Sequence, residues 1–95
     1  MATIQVSTFT LKSGVDPETF IAADAALQEW VYLNVPGIAR RTTARSKDGK
    51  WITIRLYADA TQTGTEWFDS PDAAVTTWRA LVDESSIDHC DYDLL

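Results

Sequence analysis

The run from residue 35 to residue 57, VPGIARRTTARSKDGKWITIRLY, constrains the fold more than any other part of this chain. Two stretches rich in strand-forming residues flank Lys47-Asp48-Gly49-Lys50. Asp and Gly both tolerate the positive φ of tight hairpin turns, so the spacing predicts antiparallel strands near Ile38–Arg45 and 50–58. The same run holds Arg40, Arg41, Arg45, Lys47, Lys50 and Arg55, six of the eight basic residues. This hairpin is therefore the centre of the fold and also the surface least like the rest.

The flanking elements fall into place around it. Thr3–Leu11 is rich in β-branched and aromatic residues and reads as a strand. Ile4 and Val6 point to one side of it, and Phe9 and Leu11 to the other. Apolar groups on both sides imply a sheet covered on both faces, or a bulge near Ser7 or Thr8. Asp16 before Pro17 is a helix start, with Asp as cap and Pro in the first turn. Phe20, Ala23, Leu27, Trp30 and Val31 continue a helical stripe to about Leu33, before Pro36-Gly37. After the hairpin, Asp59 is placed to cap a short helix through Trp67 and Phe68, weakened by Gly64. Ser70-Pro71 starts a further helix with Ala74, Val75, Trp78, Leu81 and Val82 inward, ended by Ser85 and Ser86. A last strand follows from Ile87, with Cys90, Tyr92 and Leu94 inward and His89, Asp91 and Asp93 on the other side.

The order β-α-β-β-α-β predicts an α+β, ferredoxin-like domain: a four-stranded antiparallel sheet with two helices on one face. Ninety-five residues make one domain, spanning 1–95. In the second hairpin strand, Ile52, Ile54 and Leu56 read as ordinary core. Trp51, Thr53, Arg55 and Tyr57 share the opposite side and read as an interface or a ligand-facing wall. Four tryptophans are more aromatic area than a small monomer needs, which points to a second buried surface, and a second subunit is its simplest source.

Charge narrows the partners. The chain carries a net charge of -6, which argues against nucleic acid as a general partner, because that requires a broad basic footprint. A single cysteine, Cys90, excludes an internal disulfide and fits a reducing compartment. With no secretory leader pattern and no run long enough to span a membrane, the expected setting is cytoplasmic, away from membranes.

The helix run AADAALQEW, then PGIARR, then DGKWITIRLYAD, resembles the antibiotic-biosynthesis-monooxygenase-like (ABM) proteins of the dimeric α/β-barrel superfamily. The resemblance spans roughly residues 9–82. It implies a homodimer whose two sheets form one barrel with helices outside, and a cleft between sheet and helices in each subunit. That superfamily includes cofactor-independent monooxygenases of polycyclic phenols, haem-degrading enzymes and members without known activity. Haem degradation would require an Asn on the first strand and a His about ten residues after a Trp. Trp67 matches the Trp, but the first strand has Ser7 and the later position is Thr77.

Other chemistries lack their residues. His89 and Asp91 share a strand face while Cys90 points away, which gives too few ligands for a metal. Cys90 reads as a small buried hydrophobe with no base beside it, and no glycine loop for phosphate occurs. The expectation is therefore no metal and no cofactor. A pocket for a planar phenol would draw its walls from Trp51, Tyr57, Trp67 and Trp78 and its charge from Arg55 or Arg40. The leading expectation is a non-catalytic dimer that binds a small ligand or has a structural role. The alternative is a cofactor-independent monooxygenase acting on a small aromatic or polyketide-like phenol.

Overall fold

The computed structural model describes residues 2–59 and 66–95. The elements run β1 (Thr3–Leu11), α1 (Pro17–Asn34), β2 (Ile38–Arg45), β3 (Trp51–Tyr57), a 3₁₀ turn (Glu66–Asp69), α2 (Ala73–Leu81) and β4 (Val82–Asp93). The sheet order is β2-β3-β1-β4, antiparallel throughout. This is the ferredoxin-like order expected from the sequence. The part of the predicted short helix that contains Gly64 lies outside the described residues.

Local chemistry sets the element ends. Asp16 accepts from the Glu18 amide at 3.3 Å and Pro17 opens α1. α2 starts two residues later than expected, because Asp72 rather than Ser70 caps it by accepting from the Ala74 amide at 3.0 Å. It ends at Leu81, earlier than Ser85-Ser86, and the chain enters β4 directly. The two serines instead occupy an irregularity within β4, where Ser86 Oγ accepts from the Thr10 amide at 2.9 Å. The hairpin forms as predicted, although only Gly49 takes a positive φ, +85°. Its loop is closed by the Ser46 amide donating to the Lys50 carbonyl at 2.8 Å, so Asp48 is spared the left-handed region.

Both helices pack on one face of the sheet. Phe9, Phe20, Leu27, Val31, Trp51, Tyr57, Val75, Trp78 and Val82 form the core between them. Phe20 is its hub, with edge-on contacts to Trp51 at 4.7 Å and Phe9 at 5.8 Å between ring centroids. In β3 the buried residues are Trp51, Thr53, Arg55 and Tyr57, while Ile52, Ile54 and Leu56 lie on the side that no helix covers. The expectation that Ile52, Ile54 and Leu56 are ordinary core is thus overturned, while the opposite side holds the core aromatics and part of a cavity wall. Period two groups residues by side, but only the helices decide which side is inner. The uncovered side carries Ile4 and Val6 from β1, Ile54 at 38% exposure, and Tyr92 at 54%. Cys90 also lies there and is exposed rather than buried. No helix among the described residues is long and apolar enough to cross a membrane.

Candidate functional site

A cavity of about 140 Å³ lies between the helix-covered side of the sheet and the turn that leads into α2. β1 supplies Ser7 and Phe9 to it, and β3 supplies Thr53 and Arg55. Arg41 comes from β2, Leu27 from α1, and Ile87 and His89 from β4. The 3₁₀ turn adds Trp67, Phe68 and Asp69, and α2 adds Trp78.

Of the sequence candidates, Arg55, Trp67 and Trp78 come together on this cavity. Trp51 and Tyr57 do not line it; both are core residues, and the Arg45 guanidinium lies 5.1 Å from the Trp51 ring centroid. Arg40 is exposed on a shallow outer groove beside Tyr32 and Gln28. The cause is a bulge in β2: Ile38 pairs with Tyr57, but Arg40 pairs with Leu56. The extra residue turns Arg40 out with Leu56 and turns Arg41 in beside Arg55.

Arg41 is held firmly. The Tyr32 hydroxyl accepts from the Arg41 amide at 2.7 Å and donates to the Arg41 carbonyl at 3.2 Å, closing the free edge of β2 at that point. Both backbone groups of Arg41 therefore point away from β3, so Arg41 and Arg55 form a non-hydrogen-bonded cross-strand pair, the kind whose side chains approach most closely. Arg41 Nη2 donates to Asp24 Oδ1 at 2.7 Å, and the same oxygen accepts from Trp78 Nε1 at 3.0 Å. Sequence reasoning placed Ala23 in the α1 stripe and overlooked Asp24. Asp24 lies four residues after Phe20 and three before Leu27, on the buried face. An acid at such a position signals a buried partner.

Arg55 has no equivalent anion. Its Nε donates to Gln5 Oε1 at 3.1 Å and its Nη2 to Ser7 Oγ at 2.6 Å. Among the described residues, no carboxylate lies within ion-pair distance of it. Burial pushes its guanidinium below the usual value; the Tyr57 phenol and, more weakly, the Asp91 carboxylate oppose this, and the neighbouring Arg41 cation adds to the lowering. Ser7 Oγ also lies 2.6 Å from His89 Nδ1, so Arg55, Ser7 and His89 form a continuous polar chain along the wall. In the sequence, Ser7 stands out as a possible bulge position and as a mismatch to the haem-degrading pattern, and His89 only as a face-mate of Asp91. The strand pairing that puts Ser7 opposite His89 joins them.

The polar lining is incompletely satisfied. Among the described residues, Arg41 Nε, Thr53 Oγ1 and Trp67 Nε1 are buried without a hydrogen-bond partner, and all three residues line the cavity. The turn that carries Trp67 is fastened by Arg79, which donates to the Phe68 carbonyl at 2.9 Å and lies 4.7 Å from the Phe68 ring centroid. Arg79 also pairs with Glu84 at 2.6 Å and Asp69 at 3.4 Å. No group of three or more His, Cys, Asp or Glu residues suited to a metal occurs among the described residues. An aromatic cavity with two guanidiniums and unused donors can take up a small planar molecule bearing acceptor oxygens.

No family model and no curated protein matches the sequence. Solved structures do. The cofactor-independent oxygenase SnoaB from Streptomyces nogalater superposes with a TM-score of 0.73 at 20% identity, covering 99% of this chain and 93% of SnoaB. A Caulobacter crescentus CB15 protein, assigned by name to the antibiotic biosynthesis monooxygenases, gives 0.73 at 21% identity over 99% of this chain and 90% of that one. A dimeric Bacteroides fragilis protein of unknown function and ferredoxin-like fold gives 0.67 at 13% identity, covering 98% and 96%. The chain thus has the fold of the ABM-like proteins.

Proposed function

We propose that this chain is a small-ligand-binding protein that works as a homodimer and takes its ligand into the cavity beside Arg55. The observation that carries the reading is a buried guanidinium with no carboxylate partner among the described residues, set in an aromatic wall. A core built only for stability is filled, and its charges are paired. Here there is open volume, and one cation of the adjacent pair has no ion-paired carboxylate among the described residues.

The dimer reading rests on the uncovered face of the sheet. Ile4, Val6, Ile52, Ile54, Leu56 and Tyr92 give it an apolar character that a monomer rarely leaves in water. Two such faces laid together would make a barrel with the helices outside. A cytosolic setting is consistent with Cys90 as an exposed free thiol. Native mass spectrometry of freshly purified protein tests both parts: a dimer with added mass of small-molecule size is expected. A bare monomer would overturn both.

A second reading is that the bound molecule is oxidised there as by a cofactor-independent monooxygenase. Two observations favour it: the likeness to SnoaB, and a cation able to hold a phenol in its electron-rich anionic form. A cavity of about 140 Å³ limits the substrate to a small phenol. Oxygen uptake with quinol-like substrates should fall at least tenfold in Trp67→Ala or Arg55→Ala. Absence of uptake with every small phenol would leave only the binding role.

A further inference from the structure

We infer that the ligand of this cavity is a carboxylate carried on a single aromatic ring; the inference rests on the ligand-binding reading above and narrows it. Three features converge on that chemistry. The first is volume. An engineered apolar cavity of about 150 Å³ accommodates benzene, and the cavity here is about 140 Å³. One ring fits, and a fused polycycle does not.

The second feature is charge. Arg41 and Arg55 face each other across β2 and β3, and among the described residues only Arg41 has an acid, Asp24, in ion-pair contact; Asp91 acts on Arg55 only from beyond that distance. Asp69 also lines the cavity, but its side chain is 85% exposed and paired with Arg79. A water molecule could satisfy the spare donors, but it could not offset the Arg55 charge. An anion does both.

The third feature is the number of donors. Among the described residues, Arg41 Nε, Thr53 Oγ1 and Trp67 Nε1 lack partners, and Arg55 has further N–H groups beyond those given to Gln5 and Ser7. A phenolate offers a single oxygen. A carboxylate offers two oxygens with about four acceptor sites, in a plane that guanidinium groups match. The aromatic walls, Phe9, Trp67, Phe68 and Trp78, exclude a bare inorganic anion as the best fit, because they would contact nothing.

The test compares benzoate with benzamide, its neutral isostere, and with phenol, using the full chain labelled with nitrogen-15. Binding is followed through the indole N–H signals of Trp67 and Trp78. Benzoate should bind at least tenfold more tightly than either competitor and move the Trp67 indole proton downfield. Trp67→Phe, which replaces the indole and its donor with a phenyl ring, should weaken benzoate about tenfold and benzamide clearly less, because a hydrogen bond to a charged acceptor is the stronger one. Arg55→Met should abolish the preference; if that variant does not fold, Trp67→Phe still decides.

Benzamide or phenol binding as tightly as benzoate at these residues would overturn the carboxylate assignment and leave the cavity a ligand site. Benzoate shifts confined to Lys47 and Lys50 would also overturn it. If none of the three moves any cavity signal, the ligand-binding reading falls as well.

Discussion

Asp24→Ala is the substitution whose effect the structure specifies most closely. One oxygen of Asp24 accepts from both Arg41 Nη2 and Trp78 Nε1, with the Arg41 side chain 1% exposed and that of Asp24 13% exposed. Removing the acid leaves a buried guanidinium facing Arg55 and orphans an indole N–H. Breaking a buried pair from one side costs about 3–5 kcal/mol, so a loss of about 4 kcal/mol is expected. A chain of this length has a total stability of about 5–14 kcal/mol. At about 4–8 °C per kcal/mol, the melting temperature should fall by about 16–32 °C. Asp24→Asn keeps an acceptor and should cost about 1–2 kcal/mol. The double variant Asp24→Ala with Arg41→Met removes both partners and should recover most of the loss. Urea unfolding at one fixed protomer concentration, followed by tryptophan fluorescence, measures all three. The reasoning is refuted if Asp24→Ala lies within 1 kcal/mol of the parent, or if adding Arg41→Met brings no recovery.

Further outcomes follow from other residues. Arg55→Met removes an unpaired buried charge, so the ligand-free protein should be as stable as the parent or gain about 1 kcal/mol; a urea-measured loss above 2 kcal/mol would mean that the Gln5 and Ser7 hydrogen bonds dominate. Gly49→Ala meets no atom within 4 Å but must hold a φ of +85°, so it should lose about 1–2 kcal/mol from backbone strain alone, read from the urea midpoint. Ile54→Lys puts a charge on the uncovered sheet face and should shift the protein to monomer in sedimentation velocity; unchanged sedimentation would place the interface elsewhere. The Asp48 carboxyl is held below its usual value, first by the Ser46 hydroxyl and then by the Lys50 amide. Its contribution to the hairpin is present above the ordinary carboxylate range and fades as pH falls through the lowered folded value. Ser46→Ala should therefore reduce the acid sensitivity of the β2–β3 amide signals in NMR.

The fold was legible because its cues are local. Asp16-Pro17, the Phe20–Leu27–Val31 stripe and Asp48-Gly49 each specify an element without help from distant residues. The sidedness of the sheet was not local. Trp51, Thr53, Arg55 and Tyr57 group on one side, which reads as an interface or a ligand-facing wall, while Ile52, Ile54 and Leu56 read as core although the helices cover the other side. In this protein the helix-covered side is the more polar at its centre, with Gln5, Ser7, Thr53 and Arg55 buried there. A cavity needs such groups, and average hydropathy hides them. Ser7 and His89 illustrate the other limit: they are 82 positions apart, and only strand pairing brings them together. Arg55, Trp67 and Trp78 are legible as site candidates, Asp24 is not, and the choice between Arg40 and Arg41 turns on a one-residue shift of register that no local cue sets.

The β2 bulge acts as a reading-frame shift in three dimensions. Two adjacent arginines must face opposite sides of a strand, and one extra backbone residue upstream of them decides which position, counted from Ile38, faces the cavity. Lineages that keep the fold but lack that residue would keep the same side chain opposite Arg55, one position nearer to Ile38 in sequence. At about 20% identity, an ungapped alignment would carry a binding residue from a relative onto Arg40 when its spatial counterpart is Arg41. Comparison of binding chemistry across such proteins must therefore follow strand register before residue identity.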